Sequence, residues 1–462
     1  MAGLASMGSS DTQMNFSRPN HFEAKASYDE WSFYPQIRHF TESDVERIKN
    51  DSLESVRGKT FVVGSGTEAD PYVISNESDM IALGETTNSG NTYEGVYFKV
   101  AEDTHVFDFT QADEQYDFIT IGNESSPFEG SFDGLGSQFI VDIDQNAGYQ
   151  GLFGHVGKQG HVMNLAVSGQ VKGYDYVGGI AGFNAGTIEN VYNEATIIGR
   201  NHIGGLIGHH EGTLYDAYNK GHVEGRLNVG GIAGYVDDVI KHTYNIGVVY
   251  GHEKVGALVG FLNRELITNS YYDSKVLNAY SGYGSLIRPQ GAVSNSFDSA
   301  TVRGLDKNFM VGSGALGTQA FNMDFTDHSD RWSTQYNITD SKSYPQLEIF
   351  ARSQDETVKQ HSYDSTRTTF ETLSFDYMDA TGNNSVETME VLKGYHYETP
   401  VGFKFGYEFQ GWYTLSDTLE EIRLTNEKGE SLTPFNSESP VDAFAKWKVA
   451  NHVVRFVNGD GQ

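Results

Sequence analysis

The sequence predicts an all-β fold, in which a right-handed parallel β-helix is followed by a second, smaller β-rich module. Between Gly173 and Gly260, glycines, apolar residues and a Tyr-Asn pair all recur every 26 residues. A repeat this short cannot enclose a core by itself, so each unit must bury its apolar side against its neighbours. The apolar runs are short, rich in β-branched residues and bounded by glycine, which is typical of strands joined by tight turns. Parallel crossovers are almost always right-handed, and this sets the expected hand.

Several columns of identical or similar residues share this period. The glycine columns are Gly173, Gly199, Gly225 and Gly251; Gly178, Gly204, Gly230 and Gly256; and Gly182, Gly208, Gly234 and Gly260. The polar pairs are Tyr192 and Asn193, Tyr218 and Asn219, and Tyr244 and Asn245. We expect the glycines to supply positive φ and close backbone approach at the corners of the coils. Stacked in register, the Tyr and Asn side chains should form structural ladders. An aromatic sugar-binding strip is the alternative for the Tyr column.

Four six-residue segments that contain these glycines resemble the GLUG motif of bacterial surface adhesins and of the non-catalytic part of IgA-specific metallopeptidases. They are VGGIAG at 177–182, IGGLIG at 203–208, VGGIAG at 229–234 and VGALVG at 255–260. This resemblance implies a β-helical surface module and does not name a ligand. The β-helix is expected over residues 59–350. It opens with a short helix through Met80, capped near Ser75 and Asp79, and continues through strands such as Phe139 to Asp144.

The flanking segments divide the rest of the chain. Tyr34, Pro35 and Gln36 recur as Tyr344, Pro345 and Gln346, so residues 1–58 are interpreted as the tail of a preceding module with a connector. Residues 351–370 are polar and are expected to be a linker.

Residues 371–448 resemble the Listeria-Bacteroides repeat of surface proteins, because GYEFQGWYT at 406–414 and FAKW at 444–447 match its signature. The resemblance implies a small β-grasp-like module. Tyr407, Phe409, Trp412 and Trp447 are the large anchors that so small a core needs. Residues 449–462 resemble the beginning of a further repeat, which suggests a fragment of a tandem array.

Composition and charge limit the classes of partner that the chain could bind. The chain has 462 residues, 32 Lys and Arg against 62 Asp and Glu, a formal net charge of -30 and no cysteine. Such a chain repels phosphate backbones and anionic lipid heads, so neither nucleic acid nor a membrane is an expected partner. No stretch is apolar enough to predict a membrane span. The expected partners are a protein or glycan on a host or neighbouring cell, and further modules of the same chain.

Catalytic and metal-binding patterns are weak. His209, His210 and Glu211 lack the second histidine of a His-Glu-x-x-His zinc motif. Asp142 and Asp144 would share one strand face about 6.5 to 7 Å apart, within the spacing of inverting glycosidases. In so acidic a chain they are better explained as solvated carboxylates, with a weak calcium site as the alternative. The histidines occupy different columns and are expected at the surface, without a metal site or cofactor: His202, His210, His222, His242 and His252.

The function expected from the sequence is that of a non-enzymatic segment of a modular bacterial cell-surface protein, extracellular, acting as an adhesin or a rigid stalk in cell attachment. Solenoids suit this work because they are elongated and offer long lateral surfaces. Two alternatives stay open. One is a β-helix that binds or cleaves polysaccharide, and the other is a repeat of a self-assembling surface layer or filament.

Overall fold

The computed structural model describes residues 61–450 with gaps, and before them only two short paired strands, β1 (Phe22–Glu23) and β2 (Gln36–Ile37). The gaps are residues 62, 111–117, 265, 275–290, 295–298, 307–309, 312–314, 321, 335–343, 364–369, 379–386, 393–396, 398, 417, 434 and 438–439. Most of the N-terminal segment 1–58 and, beyond residue 450, the expected further repeat lie outside the described residues. No described helix combines the length and the apolar character needed to cross a membrane.

The first part of the chain is a parallel β-solenoid of about seven turns, which confirms the predicted fold class. Its entry strands are β3 (Tyr72–Ile74), β4 (Tyr97–Val100), β5 (Val106–Asp108), β6 (Ser131–Asp144), β7 (Phe153–Val156) and β8 (His161–Lys172). The regular coils follow with β9 (Asp175–Val177), β10 (Ala181–Asn184), β11 (Thr187–Asn193), β12 (Thr196–Ile198), β13 (Asn201–Gly204), β14 (Ile207–His210), β15 (Thr213–Asn219) and β16 (Val223–Glu224). The later strands are β17 (Leu227–Gly230), β18 (Ala233–Val236), β19 (Val239–Asn245), β20 (Val249–Tyr250), β21 (Glu253–Gly256), β22 (Val259–Leu262), β23 (Ile267–Asp273) and β24 (Val302–Leu305).

Strand pairing follows the sequence period. Each regular coil contributes four strands, and each strand pairs in parallel with its equivalent in the next coil, as Ile188 pairs with Leu214 and Leu214 with Ile240. The inward residues are therefore the periodic apolar columns, which form one continuous core from Phe61 to Val302. Register is fixed because a slip by one residue would turn every one of these side chains outward.

The glycines of the GLUG segments allow backbone atoms of the same coil and of the next coil to pack closely. A Cβ atom on Gly178 would lie 2.5 Å from the carbonyl oxygens of Ala181 and Leu206, closer than side-chain carbons come to other atoms. None of the described glycines of these columns has positive φ, so that part of the prediction was wrong. The positive-φ positions of the coils carry Tyr, His, Asn, Asp and Lys instead, for example Tyr176 at 60° and His202 at 59°.

The entry helix α1 (Glu77–Asn88) is where the sequence placed it, but its cap differs. The N-cap residue is Asn76, whose side-chain oxygen accepts the backbone N–H of Asp79 at 3.1 Å. Asp79 in turn accepts the backbone N–H of Ser75 at 2.8 Å. Asn76 thus satisfies one free N–H group of the first turn, and Asp79 accepts from the residue before the N-cap, an arrangement close to a capping box.

After the coils the chain returns along the outside of the solenoid. This returning segment, residues 305–363, contains a 3-10 turn (Thr326–His328), β25 (Trp332–Ser333), β26 (Gln346–Leu347), α2 (Glu348–Ala351) and α3 (Glu356–Tyr363). It encloses a second apolar cluster that includes Phe325, Trp332, Phe350 and Val358. Residues 351–363, which the sequence assigned to a linker, include α3, and Val358 of that helix is fully buried in this cluster.

The second module is a five-stranded mixed sheet with the order β28-β27-β31-β29-β30. Its strands are β27 (Phe370–Asp376), β28 (Glu387–Leu392), β29 (Tyr407–Leu415), β30 (Glu421–Arg423) and β31 (Val441–Val449). Phe409, Trp412 and Trp447 pack in its core as expected. Tyr407 does not, because it begins β29 beyond the core and is 42% exposed.

Candidate binding surface

The Asn column lies inside the solenoid and is fully buried. The side-chain oxygen of Asn219 accepts the backbone N–H of Gly221 at 3.1 Å, and its amide donates to the Gly221 carbonyl at 2.9 Å. The same amide donates to Asn245 at 2.9 Å, and the Asn193 amide donates to Asn219 at 2.9 Å. Each Asn therefore closes a corner of its own coil and bonds to the next coil.

The Tyr column lies outside the coils, under the returning segment. The rings of Tyr192, Tyr218 and Tyr244 are parallel, with centroids 4.8 Å apart at each step. The hydroxyl of Tyr218 donates to the Ser362 carbonyl at 3.0 Å, and that of Tyr244 donates to the Pro345 carbonyl at 2.6 Å. These three residues are at most 1% exposed, so the ladder offers no ring face to a sugar.

Other columns of aromatic residues remain partly exposed. They lie on a different outer face of the solenoid, where the returning segment makes no described contact. We call this surface the aromatic face, and it consists of Tyr149, His155, Tyr176, Phe183, His202, His209, Tyr235 and Phe261. One column runs along β7, β10, β14, β18 and β22, where His155, Phe183, His209, Tyr235 and Phe261 pair in register. The other begins with Tyr149 and continues through Tyr176 and His202.

The rings of the aromatic face stack along the solenoid axis. Tyr149 and Tyr176 are stacked with centroids 4.9 Å apart, and Tyr176 and His202 are 5.0 Å apart. Tyr235 and Phe261 stack at 5.4 Å, and the Lys254 ammonium lies 4.0 Å above the Phe261 ring. Where ring faces cover one another, this surface presents ring edges and phenol hydroxyls to a partner, whereas both ring nitrogens of His209 are buried.

Backbone strain accompanies one of these columns. Tyr149, Tyr176 and His202 adopt left-handed φ values of 59 to 60°. Tyrosine rarely occupies this region, at a cost of about 1–3 kcal/mol for each residue, whereas histidine tolerates it better. The equivalent residue of the next coil is Asn228, a type that tolerates the conformation well. Tyrosine thus occupies positions at which Asn would cost less conformational free energy.

The imidazoles of the aromatic face are held neutral. Burial, with a smaller contribution from His209, lowers the pKa of His202 to about 4. Burial also lowers the pKa of His209 and of His155. Around neutral pH the aromatic face therefore carries hydrogen-bonding groups without imidazolium charge.

The two sequence-predicted carboxylates lie elsewhere. Asp142 and Asp144 are exposed at the end of β6, opposite Gln170 and Lys172 of β8. Asp144 forms an exposed ion pair with Lys172 at 2.9 Å. A carboxylate neutralised by a neighbouring lysine is a poor catalytic acid and a poor calcium ligand.

Several histidines expected at the surface are buried instead. His210 and His242 are fully buried, and His222 is 7% exposed. His210 bonds to Asn184 at 3.2 Å and to the Val239 carbonyl at 3.0 Å. Stacked coils leave little surface between neighbouring strands, so even a scattered polar residue can be enclosed.

Two groups of candidate functional side chains were not found from the sequence. The first is the aromatic face, although its Phe183, His209, Tyr235 and Phe261 column has the 26-residue period and could have been read. The second is a set of buried carboxylates under the returning segment. Glu194 pairs with Lys220 at 3.1 Å and with His361 at 2.8 Å, and Asp216 contacts His328 at 2.7 Å. Lys220 follows Glu194 by one 26-residue period, but His361 and His328 are 167 and 112 positions from the carboxylates they contact, and no local pattern reveals these two partners.

Comparison with known proteins identifies the repeat. The model of the GLUG motif matches residues 173–198. A provisionally named Gly-rich membrane protein of Evansella cellulosilytica is 30% identical over 148 residues, covering 30% of this chain and 16% of that protein. Halomucin of Haloquadratum walsbyi is 31% identical over 149 residues, covering 30% of this chain and 2% of that protein. The chain thus spans only a small part of these much longer relatives.

One solved structure is also similar. It is the crystal structure of a provisionally named immunoglobulin A1 protease from Bacteroides ovatus, with a TM-score of 0.38 and 23% identity over 46% of this chain and 68% of that one.

Proposed function

We propose that this chain is a non-enzymatic, extracellular segment of a modular bacterial surface protein, in which the solenoid is a rigid stalk that holds an adhesive region away from the envelope. The observation that carries the proposal is the unbroken register of the coils. Neighbouring coils are joined by strand pairing, and the three coils that carry Asn193, Asn219 and Asn245 are joined also by the Asn ladder and the stacked Tyr rings. The GLUG motif and the names of the two relatives support a surface location.

Small-angle scattering of the 462-residue chain over a concentration series tests the stalk. A rod-like monomer at every concentration is expected, because bending the solenoid would break several ladders at once. Growth into longer rods at higher concentration would instead favour the self-assembling layer or filament. A flexible, compact particle would contradict both.

The second candidate function is adhesion through the aromatic face, which the retained backbone strain at Tyr149 and Tyr176 favours. Strained positions persist where function requires the side chain. Tyrosines are enriched in protein interfaces because they combine apolar area with a hydroxyl. Since the ring faces are already stacked, we propose a partner that meets ring edges and hydroxyls, either a cell-surface protein or the hydroxyl groups of a glycan.

A matched pair of substitutions tests adhesion. Tyr235 lies within the aromatic face, 4.7 Å from His209 between ring centroids, and Tyr174 is an exposed tyrosine outside it, beneath the Arg200 guanidinium at 4.7 Å. Beads coated with Tyr235→Ser are expected to lose most of their binding to cells or glycan arrays, whereas Tyr174→Ser should bind like the wild type. Equal binding by both variants would contradict adhesion through this face. Release of reducing sugar from any glycan would favour the polysaccharide-cleaving alternative.

We further propose that residues 371–448 are a Listeria-Bacteroides repeat, and that neighbouring modules of the same chain are its partners. Support comes from the predicted anchors Phe409, Trp412 and Trp447, because the Phe409 ring packs edge-on against both tryptophans. Expression of residues 364–450 alone tests this: an independent cooperative unfolding transition is expected, and an unfolded product would contradict it.

A further inference from the structure

The cluster under the returning segment combines one carboxylate and two imidazoles from three separate turns of chain. Asp216 of β15 and His242 of β19 occupy equivalent positions in neighbouring coils, and both have left-handed φ, at 48° and 53°. Asn, Asp and His are the residue types that best tolerate this conformation, and here the position supplies two metal-ligand side chains. His328 comes from the 3-10 turn of the returning segment.

Distances within the cluster suit a small cation. The Nδ1 atom of His242 lies 3.4 Å from Oδ1 of Asp216, and Nδ1 of His328 lies 2.7 Å from Oδ2 of Asp216. One ligand atom from each residue lies within 4.8 Å of the other two. Tetrahedral zinc with bonds near 2.0–2.1 Å separates its ligand atoms by about 3.4 Å. The His242 contact with Asp216 already has this separation, and the His328 contact is shorter by 0.7 Å.

His242 is the observation that points to a ligand. Its side chain is fully buried, and neither ring nitrogen makes a hydrogen bond of acceptable geometry within the described part of the chain. A buried polar nitrogen without such a bond destabilises the folded state. Yet Nδ1 points at the Asp216 carboxylate, and Nε2 lies 2.8 Å from Oδ1 of Asp327. A cation bound by Nδ1 would remove this cost.

The surroundings supply the outer contacts of a metal site. Oδ1 of Asp327 lies 2.8 Å from Nε2 of His242, and the Lys241 ammonium donates to Oδ2 of Asp327 at 2.6 Å. The Trp332 indole N–H donates to Oδ1 of Asp216 at 3.0 Å. Such carboxylate and indole contacts orient ligands and fix the imidazole tautomer.

We propose that Asp216, His242 and His328 bind one divalent transition-metal ion of the Zn²⁺ type, which fastens the returning segment to the solenoid. A donor set of two nitrogens and one oxygen favours Zn²⁺ over Ca²⁺ or Mg²⁺, which require mostly oxygen ligands. The His328 side chain is 35% exposed, so water can occupy the fourth position. A second group, His209, Glu211 and Asp237, is less suited, because it has a single imidazole and Glu211 is 45% exposed.

The test is zinc binding by the full 462-residue chain, without a polyhistidine tag, measured by equilibrium dialysis and competition with a chromophoric chelator. The wild type is expected to bind one Zn²⁺ at this site and to show a higher unfolding temperature with Zn²⁺ that EDTA reverses. His328→Asn retains an amide donor toward Asp216 but removes the imidazole. It should weaken binding by more than the about 10- to 100-fold that loss of an outer-shell partner causes. Asp327→Asn, which alters that outer shell, should fall within this range.

His361 provides the matched control. Like His328, it lies on the returning segment, is about as exposed at 38%, and contacts a buried carboxylate, Glu194, through Nδ1 at 2.8 Å. The residue beside Glu194 is Lys220 where Asp216 has His242. His361→Asn should therefore bind Zn²⁺ like the wild type. Absence of stoichiometric binding, unchanged binding in His328→Asn, or loss of the ion in His209→Asn instead would overturn the proposal. Circular dichroism of metal-free His328→Asn, expected to match the wild type, excludes misfolding as the cause.

Discussion

The middle rung of the Asn ladder offers the sharpest test of how the coils are held together. Asn219→Ala removes four hydrogen bonds, two to Gly221 and one each to Asn193 and Asn245. The Gly221 N–H loses its bond in a site that is fully buried, which costs about 1–3 kcal/mol. Each lost bond between rungs adds about 0.5–1.5 kcal/mol. The free energy of unfolding should therefore fall by about 2–6 kcal/mol.

Urea unfolding followed by circular dichroism measures this change. Asn146→Ala is the control, because Asn146 is exposed after β6, and surface substitutions usually stay within about 0.5 kcal/mol. The slope of free energy against urea should be similar in both variants, so that a shift of midpoint reports stability. A loss of less than about 1 kcal/mol for Asn219→Ala would refute the inference that the ladder fastens the coils.

The remaining predictions concern the glycines, the returning segment and two ionisable groups. Gly178→Ala should destabilise the protein by about 1–3 kcal/mol through overpacking, because the new Cβ would meet two carbonyl oxygens. Gly148→Ala is the control in the same urea assay. Its Cβ would come no nearer than 3.2 Å to Asp175, so this change should cost less. Tyr218→Phe leaves the Ser362 carbonyl without its donor and should increase hydrogen exchange in α3, while Tyr174→Phe should not; equal exchange in both would contradict docking by this hydroxyl. Burial is the largest single influence on the pKa of Asp216 and raises it, but the interactions with His242, His328 and Trp332 together outweigh burial, so this pKa lies below its usual value. A depressed carboxyl pKa stabilises the folded state above about pH 4, and this contribution is lost at lower pH. On acidification below about pH 4 the wild type should therefore lose stability more steeply than Asp216→Asn. Parallel profiles of stability against pH would contradict this. His202 has a folded-state pKa of about 4 against 6.5 when unfolded, so its contribution to stability is present above pH 6.5 and is lost as pH falls towards 4; His202→Asn, which copies Asn228 of the next coil, should flatten the stability profile in that window.

Much of the fold could be predicted because a solenoid turns a sequence period into a spatial register. Ile188, Leu214 and Ile240 are 26 residues apart and lie directly beside one another. The sequence predicted where the glycines lie, but not why glycine is required there. Its sequence position indicates a corner, but the carbonyl oxygens that exclude a Cβ at Gly178 come from its own coil and the next, and only their packed positions reveal the clash.

Exposure could not be predicted from the period, because two columns of the same chemical type have opposite surroundings. The Tyr192 column and the Tyr176 column both repeat aromatic residues on the outside of the coils. The returning segment covers the first through Phe350, whose ring packs edge-on against Tyr192 at 4.8 Å, and leaves the second half-exposed.

The sequence by itself determined the coil, its register, the apolar columns of the core and the corner positions of Asn193, Asn219 and Asn245, because all of these depend on contacts between equivalent residues of neighbouring repeats. Only the tertiary structure decided which outward columns are buried, and it alone brought His328 to Asp216 across 112 positions of sequence. The path of the returning segment depends on how its few apolar residues fit one side of the finished solenoid. That fit is a property of the assembled surface, and no local repeat encodes it.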